Sequence, residues 1–164
     1  MKTSANGLAR ICGEEGFVGH VYKDSAGIPT IGFGHVVRPG EDFPNGVTRD
    51  QAMSIMASDL VRFEDAVNRD VLVPLTQCQF DALISFSYNA GVGALESSTA
   101  LKLLNAGCYT AAAEALKVWC KRIDPHTGQL VVDAGLAARR AREVALFLSD
   151  GDAAASDNPY TVAS

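Results

Sequence analysis

The residues with the clearest chemical potential lie near the N-terminus, in the segment EEGFVGHVYKDSAGIPTIGFGH (residues 14–35). Glu15 is followed by Asp24 nine residues later and by Thr30 six residues after that. Cleavage of a glycosidic bond requires such a pair of carboxyl groups, because one protonates the leaving oxygen and the other activates water or stabilises charge on the sugar. Thr30 is a candidate for holding a water beside Asp24. Turns also favour aspartate, so the spacing alone leaves a catalytic role and a plain turn both open.

A short helix is predicted to position Glu15. It begins at Thr3 or Ser4 as N-cap and ends within residues 13–16, which places Glu15 at its C-terminal end. The helix macrodipole favours cations rather than carboxylates at that end, so helix stability does not explain the placement.

A β-hairpin over residues 17–37 is predicted to position the other two residues, with its turn running from Asp24 to Pro29. Alternate residues of the returning strand point to opposite faces. One face carries Ile31, Phe33, His35 and Val37, and the other carries Thr30, Gly32 and Gly34. The second face is nearly bare backbone. Glycine inside a strand often marks close approach of a ligand, so we expect a ligand to approach this face.

The rest of the chain is predicted to be helical. Capping boxes begin a long helix at Thr48, which runs to about Asn68, and a central buried helix at Thr76; shorter helices follow Ser97 or Ser98, Thr110 and Asp133. We therefore expect an α+β, mostly helical fold forming one domain over residues 1–150. Its parts are a hairpin lobe (14–47), a connecting helix (48–70) and a larger helical lobe (71–150), with a ligand cleft between the lobes. Residues 151–164 are predicted to be a loose tail.

Charge and cysteine content narrow the classes of partner. The 164 residues carry 14 Lys and Arg against 19 Asp and Glu, a net charge of −5, so we expect no nucleic-acid partner. The N-terminal MKTSANGLARICGEEG lacks the continuous apolar run of a signal peptide or transmembrane segment, and no membrane anchor is predicted. The four cysteines have no metal-type spacing, which favours free thiols in a reducing cytosol, although three pairings are formally possible.

Three motifs in order resemble one known family. The pattern E-G-x6-Y-x-D-x2-G-x2-T-x-G-x-G-H around Glu15 resembles the active-site signature of the phage-type lysozymes, the endolysins of glycoside hydrolase family 24. QFDALISFSYNAGVGALESSTALKLLNAG (79–107) resembles the family's central helix, and GLAARRAREVALF (135–147) its C-terminal pattern. The polar stretch WCKRIDPHTGQLVVDAGL (119–136) departs from the family pattern and is predicted to be a loop.

The resemblance implies a lysozyme-like fold and hydrolysis of the β-1,4 bond between N-acetylmuramic acid and N-acetylglucosamine in peptidoglycan. It implies Glu15 as general acid, Asp24 as the residue that positions or activates water, and Thr30 as its partner at that water. The implied substrate-binding residues are Tyr22, Gly32, His35, Tyr88, Asn89 and Arg140, with Arg140 as the arginine that contacts the catalytic glutamate. Glu14 is expected to be solvated surface. No metal or organic cofactor is implied.

Alternatives to this interpretation stay open in the sequence. A lytic transglycosylase cleaves the same bond with one acid and an internal sugar hydroxyl, and an inactive wall-binding protein would keep the fold alone. Inversion at the anomeric carbon is the predicted outcome of the hydrolysis. The family resemblance further implies a monomer that stays in the host cytoplasm until a holin opens the inner membrane, and that then reaches the periplasm and cell wall.

Overall fold

The computed structural model describes residues 1–149, and the predicted tail at 151–164 lies outside the described residues. The helices are α1 (Ala5–Glu15), α2 (Arg49–Asp70), α3 (Gln77–Ala90), α4 (Val92–Ser97), α5 (Thr99–Asn105), α6 (Tyr109–Ala115) and α7 (Ala134–Phe147). The strands are β1 (Val18–Lys23), β2 (Pro29–Gly32), β3 (His35–Val36), β4 (Lys121–Ile123) and β5 (Leu130–Val132). They form two antiparallel sheets, β1-β2-β3 and β4-β5, so the predicted α+β, mostly helical class is confirmed.

The predicted helix starts follow from local capping chemistry. The Ser4 side chain accepts a hydrogen bond from the backbone N–H of Gly7 at the start of α1. Thr48 and Thr76 each form a complete capping box, at α2 and α3. Asp133 caps α7 by accepting from the N–H of Leu136. Each cap satisfies backbone donors that a helix start leaves unpaired, so these starts are set by sequence alone.

The core of the molecule surrounds α3, which packs against α1, α2 and α7. As the sequence predicts, α3 is central and buried on nearly every face, and four of its large apolar side chains are almost fully buried: Phe80, Leu83, Ile84 and Phe86. Both α1 and α7 pack against this central helix. Side chains that α1, α3 and α7 project toward one another are therefore held with little freedom.

The returning strand of the N-terminal hairpin differs from the prediction. It is broken into β2 and β3 by a tight turn, in which Gly32 and Gly34 have φ of 68° and 90°, so the alternation of faces does not run through it. A Cβ on Gly32 would lie 3.0 Å from the Cβ of Ala52 in α2. Gly32 is buried against that helix, and its predicted contact with substrate is wrong. Thr30 is also buried, so this side of the strand is not the open face that was predicted.

The stretch predicted as a loop at 119–136 contains the β4-β5 hairpin instead. Asp124 builds the turn, because its Oδ1 accepts hydrogen bonds from the backbone N–H groups of His126 and Thr127. Gly128 completes it with a φ of 68°. The helix α4 was not predicted, and α6 begins at Tyr109, just before the predicted start.

All four cysteines are unpaired thiols. Among residues 1–149, none of the helices has the combination of length and apolarity needed to cross a membrane.

Candidate active site

Glu15 is the last residue of α1, and a buried arginine holds its side chain. Arg139 Nη1 lies 2.6 Å from Glu15 Oε1. Arg139 is itself fixed, because its Nε lies 3.2 Å from Glu143 Oε1 and its Nη2 donates to the carbonyl oxygen of Ser85. Only 7% of the Arg139 side chain is exposed, against 22% for Glu15. The carboxyl group at the helix end is thus anchored on one oxygen and reachable on its other side.

The prediction that Arg140 contacts Glu15 is wrong. Arg140 is 1% exposed, lies over the Phe86 ring at 4.9 Å and reaches Glu143 through its Nε at 2.8 Å. Its Nη2 donates to Asn89 Oδ1 at 2.7 Å. Consecutive helical residues point in directions about 100° apart, so only one of the two arginines can face α1, and that one is Arg139.

Glu143 joins these contacts, although sequence reasoning gave it no role at the site. It is 3% exposed, accepts a hydrogen bond from Ser85 Oγ at 2.8 Å and faces both Arg139 and Arg140. Burial raises the pKa of Glu143 despite the two facing guanidinium groups. The i,i+4 spacing from Arg139 to Glu143 was the available signal, since residues four apart on a helix can pair, but spacing does not indicate that the pair is buried.

Glu14 was expected to be solvated surface, but Arg142 pairs with it. Arg142 Nε and Nη2 donate to Glu14 Oε1 and Oε2 at 2.6 and 2.7 Å. The hydrogen bonds from Arg142 lower the pKa of the Glu14 carboxyl. Successive glutamates therefore bind different arginines of α7, and only Glu15 is held by a buried one.

Asp24 and Thr30 are tied to the same turn through Ile28. Asp24 Oδ1 accepts hydrogen bonds from the backbone N–H groups of Ala26 and Ile28, both at 2.8 Å. Thr30 Oγ1 donates to the Ile28 carbonyl at 3.0 Å. Asp24 Oδ2 has no hydrogen-bond partner among residues 1–149. The turn therefore fixes the carboxylate through one oxygen and leaves the other available.

His35 is a structural residue, and its predicted contact with substrate is wrong. Its Nδ1 lies 2.7 Å from Asp59 Oδ2 and its Nε2 lies 2.9 Å from Glu41 Oε2, so both ring nitrogens are occupied. Burial lowers the pKa of His35, but the hydrogen bonds to Glu41 and Asp59 outweigh it and the pKa lies above its ordinary value. The ring links β3 to α2 rather than facing a ligand.

The remaining candidates lie around the C-terminal end of α3. Tyr88 is half-buried, and its hydroxyl donates to the Phe33 carbonyl at 3.3 Å. Burial, with a further effect of the Glu15 charge, raises the pKa of Tyr88 well above its ordinary value. Asn89 is exposed, and Tyr22 is half-buried opposite Thr30 in the β1-β2 ladder.

Two open clefts share the residues Asn89 and Ala90. One, of about 390 Å³, is lined by Arg62, Phe63 and Tyr88. The other, of about 420 Å³, lies beside the β4-β5 hairpin. A separate cavity of about 240 Å³ behind Glu14 contains none of the predicted catalytic residues. Within residues 1–149, no three His, Cys, Asp or Glu side chains come together as metal ligands would.

Comparison with known proteins gives consistent matches along most of the chain. The Phage lysozyme family model matches residues 13–143. An endolysin of Salmonella phage P22 is 42% identical over 153 residues, which cover 91% of this chain and 99% of the relative. The solved endolysin of Escherichia coli O157:H7 phage FAHEc1 is 39% identical with a TM-score of 0.82, covering 91% of this chain and 94% of that one. The muramidase domain of SpmX from Asticaccaulis excentricus is 38% identical with a TM-score of 0.82, covering 91% and 99%.

Proposed function

We propose that this chain, which belongs to the phage lysozyme family and is a glycoside hydrolase that degrades peptidoglycan, works with Glu15 as its general acid. Asp24 orients the attacking water, and Thr30 is the partner of Asp24 at that water. The bond cleaved is the β-1,4 linkage between N-acetylmuramic acid and N-acetylglucosamine. The observation that carries the proposal is the unequal setting of the two carboxyl groups, one at a helix end beside Arg139 and one in a hairpin turn.

Glu15 suits the role of acid because its position is fixed while one side of it stays accessible. The buried Arg139 holds Oε1, and the contacts of Arg139 with Glu143 and Ser85 prevent that arginine from following the substrate. A general acid must lie within hydrogen-bond reach of the leaving oxygen, so a rigid anchor favours proton transfer to a bound sugar.

Asp24 suits the role of a base or water-orienting group because two backbone N–H groups hold its Oδ1. These hydrogen bonds fix the carboxylate through Oδ1 and leave Oδ2 to accept a hydrogen bond from water. The Thr30 hydroxyl donates to a carbonyl and keeps its lone pairs for the same water. Because Thr30 is only 3% exposed, a molecule as small as water is the fitting ligand for it.

Tyr22, Tyr88 and Asn89 are proposed as contacts to the sugar chain. Asn89 and Tyr88 line the cleft beside α3, and aromatic and amide side chains are usual ligands for sugar rings and their acetamido groups. Arg140 takes part indirectly, because it holds Asn89 in place.

Substitution of Glu15 by glutamine tests the assignment. Glu15→Gln keeps the size of the side chain but cannot act as the acid, so we expect the release of reducing ends from purified peptidoglycan to fall by roughly 10²-fold or more. Binding to insoluble wall should be retained. A rate equal to that of the wild type would contradict the role of Glu15, and would support a wall-binding protein if the wild type were also inactive.

Product analysis separates hydrolysis from the transglycosylase route. Mass spectrometry of the digest should show hydrated reducing ends, whereas anhydro ends would identify a lytic transglycosylase. We propose inversion at the anomeric carbon, since a water held by Asp24 attacks the face opposite the leaving group. NMR of the first product anomer checks this, and a glycosyl adduct trapped on Asp24 would show retention.

The proposal extends to release and assembly. We propose that the chain accumulates in the host cytoplasm, reaches the wall after a holin opens the inner membrane, and acts as a monomer. Expression with and without a holin gene, followed by culture turbidity, tests the first part, and lysis without the holin would contradict it. Sedimentation of the purified protein tests the second.

A further inference from the structure

Asp81 is a buried carboxylate of α3 that the proposed mechanism does not use. It is 3% exposed, and both of its oxygens are occupied by the residue just before α1. The backbone N–H of Ser4 donates to Oδ1 at 3.0 Å, and the Ser4 hydroxyl donates to Oδ2. Gln77 Nε2 also donates to Oδ1, at 2.9 Å. Asp81 therefore binds the residue that caps α1, and through it the start of that helix.

Ser4 links the first turn of α1 directly to α3. Its hydroxyl oxygen accepts a hydrogen bond from the backbone N–H of Gly7 at 3.0 Å while the hydroxyl donates to Asp81. From there α1 runs without a break to Glu15, its last residue. A helix is stiff along its axis, with each residue rising about 1.5 Å, so a displacement of its start is transmitted to its end.

Gly7 brings the first turn of α1 very close to Asp81. A Cβ on Gly7 would lie 2.5 Å from Asp81 Cγ and 2.7 Å from each of its carboxylate oxygens, closer than side chains pack. Gly7 lies within the helix and is not among the glycines with positive φ. The missing side chain therefore serves the close approach of the two helices rather than an unusual backbone conformation.

The other end of α1 is attached to α3 one helical turn further on. Ser85 lies four residues after Asp81 and therefore on the same face of α3. Its hydroxyl donates to Glu143 at 2.8 Å, and its carbonyl oxygen accepts from Arg139, the arginine that holds Glu15. The start and the end of α1 are thus both fixed relative to one short stretch of α3.

Between these two attachments the same face of α1 borders the cavity of about 240 Å³. Gly7 and Gly13 line it from α1, and Asp81 and Ser85 line it from α3. Within residues 1–149, a Cβ on Gly13 would meet no neighbouring group within 4 Å. A cavity provides no interdigitating side chains that would stop α1 from shifting along α3. On this face the polar contacts at the two ends therefore determine the register of α1.

We propose that Asp81 is a positioning residue for the reaction, because its contacts with Ser4 and Gly7 set the register of α1 on α3 and thereby the place of Glu15. The inference rests on the proposed role of Glu15 as general acid. A misplacement of about 1 Å at such a group can cost roughly 10²-fold in rate. The partners of Asp81 are not proposed sugar contacts, so its effect falls on kcat rather than on KM.

Two substitutions disturb the register from opposite sides. Gly7→Ala adds a methyl group that must move α1 away from Asp81, and Asp81→Ala removes the acceptor for Ser4. Both kcat and KM are measured from the release of reducing ends from purified peptidoglycan, well below the Tm of each variant. We expect kcat to fall by roughly tenfold or more in both variants, with KM within about twofold of the wild type.

The conservative variant Asp81→Asn separates position from charge. Asparagine has the shape of aspartate, and its Oδ1 can still accept from the backbone N–H of Ser4 while its NH₂ group donates to the Ser4 hydroxyl oxygen. We therefore expect Asp81→Asn to keep most of the wild-type kcat. A rate as low as that of Asp81→Ala would show that the charge of Asp81 acts on the reaction and would overturn the proposal.

Two matched controls separate position from stability. Gly13→Ala adds the same methyl group to the same face of α1, where it meets no neighbour, so kcat should equal that of the wild type. Glu64→Ala removes another buried carboxylate, 5% exposed, which binds Lys2 and Thr3 to α2 instead of α3. It should lower the urea midpoint about as much as Asp81→Ala does and leave kcat unchanged.

A double variant tests whether Gly7 and Asp81 act through one contact. In Gly7→Ala combined with Asp81→Ala the new methyl group no longer meets a carboxylate, so the double variant should be no slower than Asp81→Ala alone. Losses that multiply would show two separate effects and would contradict a shared register. The proposal is also overturned if Gly7→Ala keeps the wild-type kcat, or if Glu64→Ala lowers kcat as much as Asp81→Ala.

A structural measurement distinguishes failure of this proposal from failure of the proposed function. The carboxyl ¹³C resonance of Glu15 reports its contact with Arg139. It should shift in Gly7→Ala and in Asp81→Ala but not in Gly13→Ala, and an unchanged resonance in all three would reject the positioning role. Full activity in Glu15→Gln would instead reject the catalytic assignment, while the resonance would still show whether Asp81 places Glu15.

Discussion

Replacing His35 with asparagine is expected to destabilise the protein in a pH-dependent way. His35 is 6% exposed and lies between two carboxylates, Asp59 at 2.7 Å and Glu41 at 2.9 Å. Removal of one member of a buried ion pair typically costs about 3–5 kcal/mol. We expect about 3 kcal/mol, the lower end, because Asp59 also pairs with Arg38, at 2.8 Å, and this partner is not removed by the substitution.

The pH dependence follows from the direction of the pKa shift. The pKa of His35 is raised in the folded protein above its ordinary value of 6.5, so the folded state binds the proton more tightly than the unfolded chain. The stabilisation is therefore fully present below about pH 6.5 and is lost as the pH rises through the folded pKa. The pKa of Glu41 is lowered mainly by the hydrogen bond from the backbone N–H of Arg38, and to a smaller extent by the hydrogen bond with His35. The stabilisation that Glu41 contributes is therefore lost only at more acidic pH.

Urea denaturation followed by circular dichroism at pH 5.5 and pH 9 measures the effect. His35→Asn should lose about 3 kcal/mol at pH 5.5, which corresponds to roughly 6–12 °C in Tm for a chain of this size, and clearly less at pH 9. His20→Asn is the control, because His20 is exposed and has no hydrogen-bond partner among residues 1–149; it should stay within about 0.5 kcal/mol of the wild type. An equal loss at both pH values would refute the reasoning.

Three further substitutions test the packing of Gly32 and the separate roles of the two arginines. Gly32→Ala should destabilise the protein by about 1–3 kcal/mol, because φ is 68° and the new methyl group would meet α2 at 3.0 Å; thermal unfolding without loss would contradict this. Arg139→Met should lower kcat by roughly tenfold or more, since Glu15 loses a charged hydrogen bond of about 1.5–3 kcal/mol. Arg140→Met should raise KM, because Asn89 loses the hydrogen bond that holds it in place. Both variants are assayed well below their Tm, and identical effects on kcat and KM would refute the separate roles of the two arginines.

The sequence was sufficient to place the starts of α2, α3 and α7 because their signals are local. Thr48, Thr76 and Asp133 each bond backbone groups within their own first turn, so no distant contact is needed to place those helix starts. The segment around Gly32 and Gly34 lacks such a signal, since glycine accommodates both an extended strand and a turn with positive φ. What selects the turn is the packing of Gly32 against α2, a contact between residues far apart in sequence.

Spacing was enough to place Asp24 and Thr30 near each other, because they belong to one short turn whose hydrogen bonds all lie within it. Their catalytic roles came from the family resemblance and stay predictions. His35 was misassigned because its partner Asp59 lies on another element. A histidine that faces two carboxylates differs from one in a binding cleft only by contacts that depend on how β3 lies against α2. Sequence patterns do not specify that arrangement.

Arg140, instead of Arg139, was predicted to contact Glu15, although the spacing of apolar residues along α7 distinguishes the two arginines. Leu136, Arg140, Val144 and Phe147 follow spacings of four, four and three, so Arg140 lies on the apolar stripe of α7 and is directed into the core. Arg139 is one position to the side, toward α1. The position of each arginine relative to this stripe therefore predicts Arg139, and not Arg140, as the partner of Glu15.

The buried charges near Glu15 are better explained by positioning than by stability. Two carboxylates and two guanidinium groups form a continuous set of ion pairs here: Glu15, Arg139, Glu143 and Arg140. Replacing such a buried network with apolar side chains is often neutral or stabilising, so folding alone does not require it. Here Glu143 holds one arginine that fixes Glu15 and another that fixes Asn89. A change at Glu143 would therefore disturb both the proposed acid and the proposed sugar contact, whereas a change at either arginine would directly disturb only one.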